Sequence, residues 1–221
     1  DQDRTGDEAL ILAAHAPTII SRDRLTGAEM AATHKADTVI MDDGLQNPGI
    51  YKDIKFIVIN GEMGFGNQCM IPAGPLRDPL EKGLAGADAF ILIGEDQRGS
   101  LSLLPADKPV FKARITASNT VSKGKYIAFA GIGYPHKFFN FLRDQQKLNI
   151  VKTISFADHH PYSHKDIKRL RKEADKSGAQ LVTTEKDYVR LPDTNGIDVL
   201  KIKLVWDDEN ALVAYLREKL S

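Results

Sequence analysis

The chain has almost no cysteine: Cys69 is the single one among 221 residues. That excludes an intrachain disulfide framework and any zinc site built on several thiolates, and it fits a reducing cytosol. Net charge is missing as well. Thirty Lys and Arg offset thirty Asp and Glu, so no global field draws the chain to nucleic acid or to an anionic membrane. Nucleic acid is therefore not expected as a partner, and a membrane surface has to be met locally. No apolar run approaches the roughly 18 residues of a transmembrane helix, and the opening DQDRTGDEAL is too polar for a signal peptide. Internal repeats, low-complexity tracts and an initiating Met are absent too.

What is present is a hydrophobic fraction of 42%, enough to bury the core of one or two domains. Apolar runs alternate with helical patterns in the order of βα units, which predicts an α/β fold with a mainly parallel sheet flanked by helices. Strands are expected near residues 18–21, 38–41, 55–59, 89–93, 110–115, 126–130, 152–156, 180–183 and 199–205. Helices are expected over 7–14, 24–35, 79–85, 135–146, 163–177 and 208–220. Ser163 with Asp166 three residues on, and Gly178 past the last periodic position, frame the clearest helix. The small, polar stretch ITASNTVSKGK (Ile115 to Lys125) sets a domain boundary, giving a core over 1–118 and a smaller α/β domain over 119–221.

Ligands in open α/β sheets collect at the carboxyl ends of strands, where loops and helix N-termini project. TVIMDDGLQNP (Thr38 to Pro48) places Asp42 and Asp43 at such an end, where carboxylates hold Mg²⁺ in phosphoryl transfer; Asp-Asp-Gly is equally good turn chemistry. NGEMGFGNQCMIPAGPLRDP (Asn60 to Pro79) has seven Gly or Pro in twenty residues, so its backbone shape is dictated, and it delivers Arg77 and Asp78 to a helix start. Arg77 suits bidentate phosphate contact and Asp78 a metal or the arginine itself, with a local ion pair as the plainer alternative. FADHHPYS (Phe156 to Ser163) carries Asp158, His159 and His160, with His164 behind: the make-up of a general base and its partner, or a turn with solvated histidines. Solvated turn positions are the default for His160 and His164, and zinc-ligand spacing is not matched. In TTEKDYVRL (Thr183 to Leu191), Thr184 can cap the next turn and Lys186 or Arg190 can reach an anion.

DQDRT (Asp1 to Thr5) matches the D-x-D-x-T pattern of haloacid-dehalogenase-like, metal-dependent phosphatases, yet no strand precedes Asp1 to present it as a nucleophile. Asp-His-His evokes the phosphoesterases named for that triplet, but their companion motifs are missing. A third likeness accounts for every corner. GDEALILA (Gly6 to Ala13), SRDR (Ser21 to Arg24), DDGLQNP (Asp42 to Pro48), GFGNQCMIPAGPLRDP (Gly64 to Pro79), FAGIGYPHKFF (Phe129 to Phe139), FADHHPYS and TTEKDYVRL together resemble the tetraacyldisaccharide 4'-kinase family, in order and in register.

The resemblance implies a divergent P-loop NTPase-type fold with a second, smaller α/β domain. It implies transfer of the γ-phosphate of ATP to the 4'-hydroxyl of a tetraacylated glucosamine disaccharide-1-phosphate, giving lipid IVA in lipid A biosynthesis on the cytoplasmic face of the Gram-negative inner membrane. Asp7 would be the catalytic base, paired with His159. Asp42 and Asp43 would be the acids near Mg²⁺, with Gln46 beside them at the nucleotide; Arg77 would stabilise phosphate charge and Asp78 assist at the metal.

Three departures stand out: Arg77-Asp78, a carboxylate one methylene shorter, stands where Arg-Glu is common, while Asn47 where His is common after Gln46, and Gln68 where Gly usually follows Gly-Asn, mark a divergent member. The phosphate-cradling G-x-x-x-x-G-K-[ST] loop is also lacking. Its nearest approach, Gly124-Lys125, runs into Tyr126 and has Asn119 at the first glycine position. The expectation is thus the C-terminal two-thirds of such a kinase, inactive by itself, with a separate N-terminal P-loop segment as a partner. A phosphatase using Asp1 and Asp3, and a non-catalytic binding remnant of the kinase, are the rival expectations.

Overall fold

The computed structural model describes residues 6–220, so Asp1, Asp3 and the rest of the DQDRT motif lie outside the described residues. In chain order the elements are α1 (Asp7–Ala13), α2 (Arg24–Thr33), β1 (Phe56–Asn60), α3 (Leu80–Gly86), β2 (Ala89–Ile93), β3 (Val110–Ala117), β4 (Lys125–Ala130), α4 (Pro135–Asn140), β5 (Asn149–Ser155), α5 (His164–Ser177), β6 (Gln180–Thr184), α6 (Glu185–Tyr188), β7 (Ile197–Leu200), β8 (Ile202–Trp206) and α7 (Glu209–Leu220). They form two compact units. One comprises residues 1–20 and 117–203, the other 21–116 and 204–221.

The first unit is a four-stranded sheet in the order β5-β4-β6-β7, parallel throughout. Its central strand β4 reads KYIAFA and is buried from Tyr126 to Ala130, as expected of a strand covered on both faces. Alternation splits those side chains between two cores. Tyr126, Ala128 and Ala130 pack with Phe138, Phe139 and Leu142. Ile127 and Phe129 pack with Ile167, Leu170, Ala174 and Leu181. Burying a ring such as Phe129 contributes roughly 1.5–3 kcal/mol.

Helix α5 lies on that second face because Ile167, Leu170 and Ala174 recur at helical spacing. It starts with a capping box between Ser163 and Asp166 and ends at Gly178, whose φ of 55° favours a residue without Cβ. It is also tied down by ion pairs. Lys152 and Lys176 reach Glu173 at 2.8 and 3.1 Å, and hold its carboxyl down to about 2; Arg171, at 2.7 Å, does the same for Asp193. Both acids have lower pKa values folded than unfolded, so their contribution is present above the ordinary values of 4.5 and 3.8 and is lost as pH falls toward about 2. Urea midpoints measured along an acid titration are expected to drop through that window, and to drop less in Lys152→Met, where the first cause of the Glu173 shift is gone.

The second unit has the sheet order β1-β2-β3-β8, with β1, β2 and β3 parallel. Ile59, Phe90, Leu92, Leu84 and Ala87 form one core. On the other side Ala89 and Phe111 meet Leu212, with Phe56, Trp206, Tyr215 and Leu216 around them. Helix α7 therefore packs on the β2–β3 sheet.

Three sequence expectations need correction. The division at 118/119 is crossed twice, because residues 1–20 cluster with 117–203 and residues 204–221 with 21–116. The run read as one strand over 199–205 is two strands, β7 and β8, which belong to different sheets and break at Lys201. The stretches 18–21 and 38–41 are not strands. A strand is completed by a neighbour's ladder, and β1 pairs with β2 alone among the described residues. Ile20 stays 54% and Ile40 92% exposed as a result.

Candidate functional site

The parallel strands of the first unit release three loops at their carboxyl ends: Gly131 after β4, Asp158–His160 after β5, and α6 after β6. Gly131 is the junction. Its N–H donates to Asp187 Oδ1 at 2.9 Å, and its carbonyl accepts from Arg190 Nη2 at 3.0 Å and from the His159 N–H at 3.1 Å. A Cβ there would meet the Ala157 carbonyl at 3.0 Å and the Tyr162 hydroxyl at 3.1 Å, so the position is closed to larger residues. Asp187 is fully buried and also accepts from Tyr162 Oη at 2.8 Å, Thr184 Oγ1 at 2.6 Å and Arg190 Nη2 at 2.9 Å. Burial and this carboxylate push the Tyr162 hydroxyl above its ordinary pKa, keeping it a donor.

His159, expected at the end of a strand, sits in this cluster with φ at 53°, and its imidazole is exposed. Its N–H also donates to Asp158 Oδ1 at 3.0 Å, while the ring Nε2 is 3.9 Å from that oxygen. The Asp158 carboxylate thus fixes the backbone and lies within electrostatic reach of the ring. His160 differs from the solvated turn residue expected: its ring stacks on Phe156, centroids 4.7 Å apart, and Nε2 lies 3.4 Å from Asp166. His164 is exposed, as expected. Asp7 opens α1 after Gly6, and α1 packs against α6 with Glu8 paired to Lys186. Thr184 caps α6 by accepting from the Asp187 N–H at 3.1 Å, as the sequence predicts. Arg190 is not available to an anion, since it is 6% exposed and engaged with Asp187, Gly131 and the Lys186 carbonyl.

In the second unit Asp42 and Asp43 occupy a turn rather than a strand end, with Asp43 at φ 51°. Arg77 Nη1 donates to Asp43 Oδ2 at 2.6 Å, so the two motifs DDG and PLRDP do meet. Arg24 donates to the Asp42 carbonyl at 3.3 Å and links SRDR to the same turn. The loop carrying Arg77 is folded around Asn67, which donates to the Ala73 carbonyl and accepts from the Cys69 N–H; a Cβ on Gly74 would collide with Asn67 Oδ1. Asp78 lies 3.6 Å from Lys82 one helical turn on, and Gln46 is exposed in the turn after Asp43. Among the described residues no group of three or more His, Cys, Asp or Glu is placed to hold a metal, so Asp42, Asp43 and Asp78 are not gathered into a three-ligand centre. Mg²⁺ does not need one. It takes one or two carboxylates and completes its octahedron with phosphate oxygens and water, and the adjacent, exposed Asp42 and Asp43 fit that demand.

The sequence reading missed Asp187, Gly131, Tyr162 and Glu8. The one signal was a glycine following directly on a strand that is apolar from Tyr126 to Ala130, a place where backbone approaches closely.

Parallel α/β units with Asp158 and His159 on a loop at a strand end, and Asp43 paired with Arg77, define the class of architecture to compare with known proteins. The structure resembles the crystal structure of the "apo" form of LpxK from Aquifex aeolicus in complex with ATP, with a TM-score of 0.76 at 23% identity, over 100% of this chain and 71% of that one. The two share a fold of parallel sheets flanked by helices. A family model described as Tetraacyldisaccharide-1-P 4'-kinase matches residues 1–221, and the chain belongs to that family.

Among its relatives are the tetraacyldisaccharide 4'-kinases of Rhodospirillum centenum, 42% identical over 98% of this chain and 66% of that protein, and of Paramagnetospirillum magneticum, 46% identical over 95% and 66%. That of Gluconacetobacter diazotrophicus is 45% identical over 93% of this chain and 64% of its own length. The chain thus spans just under two thirds of these relatives. No helix among the described residues is long and apolar enough to cross a membrane.

Proposed function

We propose that this chain carries the acceptor-side and metal-side residues of a kinase that transfers the γ-phosphate of ATP to the 4'-hydroxyl of tetraacyldisaccharide-1-phosphate in lipid A biosynthesis. The observation that supports this most is family membership over the whole chain, with the meeting of DDG and PLRDP through Arg77 and Asp43. The acylated substrate places the reaction at a membrane surface, the cytoplasmic face of the Gram-negative inner membrane.

In this reading Asp7, with His159, takes the proton from the sugar hydroxyl as its oxygen attacks phosphorus. Asp158 holds the His159 backbone in its left-handed turn, with Nε2 of the ring 3.9 Å from its carboxylate. Asp42 and Asp43 would hold Mg²⁺, which would supply neutralisation of charge on the phosphate oxygens. Arg77, held beside Asp43, stabilises charge on the transferring phosphate. Asp78 orients from the start of α3, and Gln46 contacts the nucleotide side of the same turn.

No G-x-x-x-x-G-K-[ST] loop occurs in these 221 residues. The expected result is that the pure chain, given ATP, Mg²⁺ and the disaccharide, transfers no phosphate, and that adding a relative's P-loop segment produces labelled lipid product. Phosphorylation by the chain alone overturns this division of labour. No transfer after reconstitution favours a non-catalytic remnant, and ATP-independent phosphoester hydrolysis favours the phosphatase alternative.

A further inference from the structure

Two consecutive side chains of the short turn α6 point to the two halves of the proposed acid–base pair. Lys186 is paired with Glu8, the residue after Asp7. Asp187 accepts the Gly131 N–H, and the Gly131 carbonyl accepts the His159 N–H. All of these residues lie in one unit.

The two connections differ in kind. The Asp187 side is buried and reaches the His159 backbone through Gly131. The Lys186 side is half exposed, at 43% for Lys186 and 57% for Glu8, and an ion pair so solvated adds little to global stability. Among the described residues its partner helix is half-buried at Ala9, Leu10 and Ile11 and exposed elsewhere. Helix α1 is two turns long, its N-cap is Gly6 at φ 74° with no side-chain cap, and none of its described residues is fully buried. A helix that short frays at its first turn unless tertiary contacts hold it, and Asp7 sits in that turn.

We propose that Lys186 is a positioning residue for the phosphoryl transfer: by holding Glu8 it fixes the first turn of α1, and hence Asp7, relative to the same α6 turn that fixes His159. The proposal rests on the reading of Asp7 as the base. It also gives Lys186 work other than the anion contact that its charge invites.

The test uses catalytically competent protein and steady-state kinetics with ATP and the disaccharide. Lys186→Met is expected to lower kcat by about 10- to 100-fold, the scale on which sub-ångström to ångström misplacement of a reacting group acts, with KM for both substrates unchanged. Lys186→Arg is expected to keep most activity. Exchanging the charges, Glu8→Lys with Lys186→Glu, is expected to recover most of what either single change loses. In an Asp7→Asn background Lys186→Met is expected to cost nothing further, because the group it positions is already gone. A rise in KM would make Lys186 a substrate contact and overturn the proposal, as would unchanged kcat, failure of the exchanged pair, or a full additional loss in the Asp7→Asn background. If Asp7→Asn itself keeps full activity, the acid–base reading falls and the positioning role falls with it. If Asp7→Asn is inactive while Lys186→Met is normal, only the positioning role falls.

Discussion

Replacing Asp187 by alanine is expected to destabilise the first unit by about 3–5 kcal/mol, the cost typical of removing one partner from a buried ion pair. The carboxylate is fully buried and Arg190 is 6% exposed, so the variant removes a buried charge that the guanidinium meets at 2.9 Å. It also strands the Gly131 N–H and the Tyr162 hydroxyl, each of which now has an Asp187 oxygen within 2.9 Å. Against a usual domain stability of about 5–15 kcal/mol, such a loss is a large fraction of the whole. Urea unfolding followed by far-ultraviolet circular dichroism at neutral pH checks it. With slopes of about 1–3 kcal/mol per molar urea for small proteins, the midpoint should fall by more than about 1 M. An unmoved midpoint would show that the network is decorative. Asp187→Asn keeps one acceptor for Gly131 and should lose less.

In active protein, Asp7→Asn and His159→Asn are each expected to reduce kcat by about 10²- to 10⁴-fold, the range that a positioned acid–base group supplies. KM for ATP should hold, because neither side chain is assigned to the nucleotide. The double variant should be little worse than the single ones if the two act as a unit. Rates within a few-fold of the parent for either single variant would remove that residue from the chemistry. An additive double variant would split the pair.

Where packing is local, the sequence was legible. The strand expected over 89–93 has those bounds, β4 and β6 differ from expectation by one residue at one end, and the Ser163 box and Gly178 stop of α5 are where the capping rules put them. The failures share a cause. VLKIKLV has strand propensity from end to end, and nothing in it announces that the ladder partner changes sheet at Lys201. TVIM has the pattern of a buried strand, but propensity does not supply a neighbour to pair with, and Ile40 is left 92% exposed.

The site divides in the same way. Asp43 and Arg77 were readable only as separate candidates, an acid for a metal and an arginine for phosphate; their direct pairing comes from the fold. Asp187 was not readable as an organiser, because its role depends on Gly131, Tyr162 and Arg190, which only the fold brings to it.

Five non-glycine residues among those described have positive φ, and two of them, Asp43 and His159, are assigned to the chemistry. Aspartate, asparagine, histidine and glycine enter that backbone region with modest strain; β-branched residues scarcely enter it. The main chain therefore shortens the alphabet at both positions before any reaction has selected among the side chains. An alanine scan across them would record backbone strain and lost chemistry as one number. Asparagine and glycine, which satisfy the turn while discarding the carboxylate or the imidazole, separate the two.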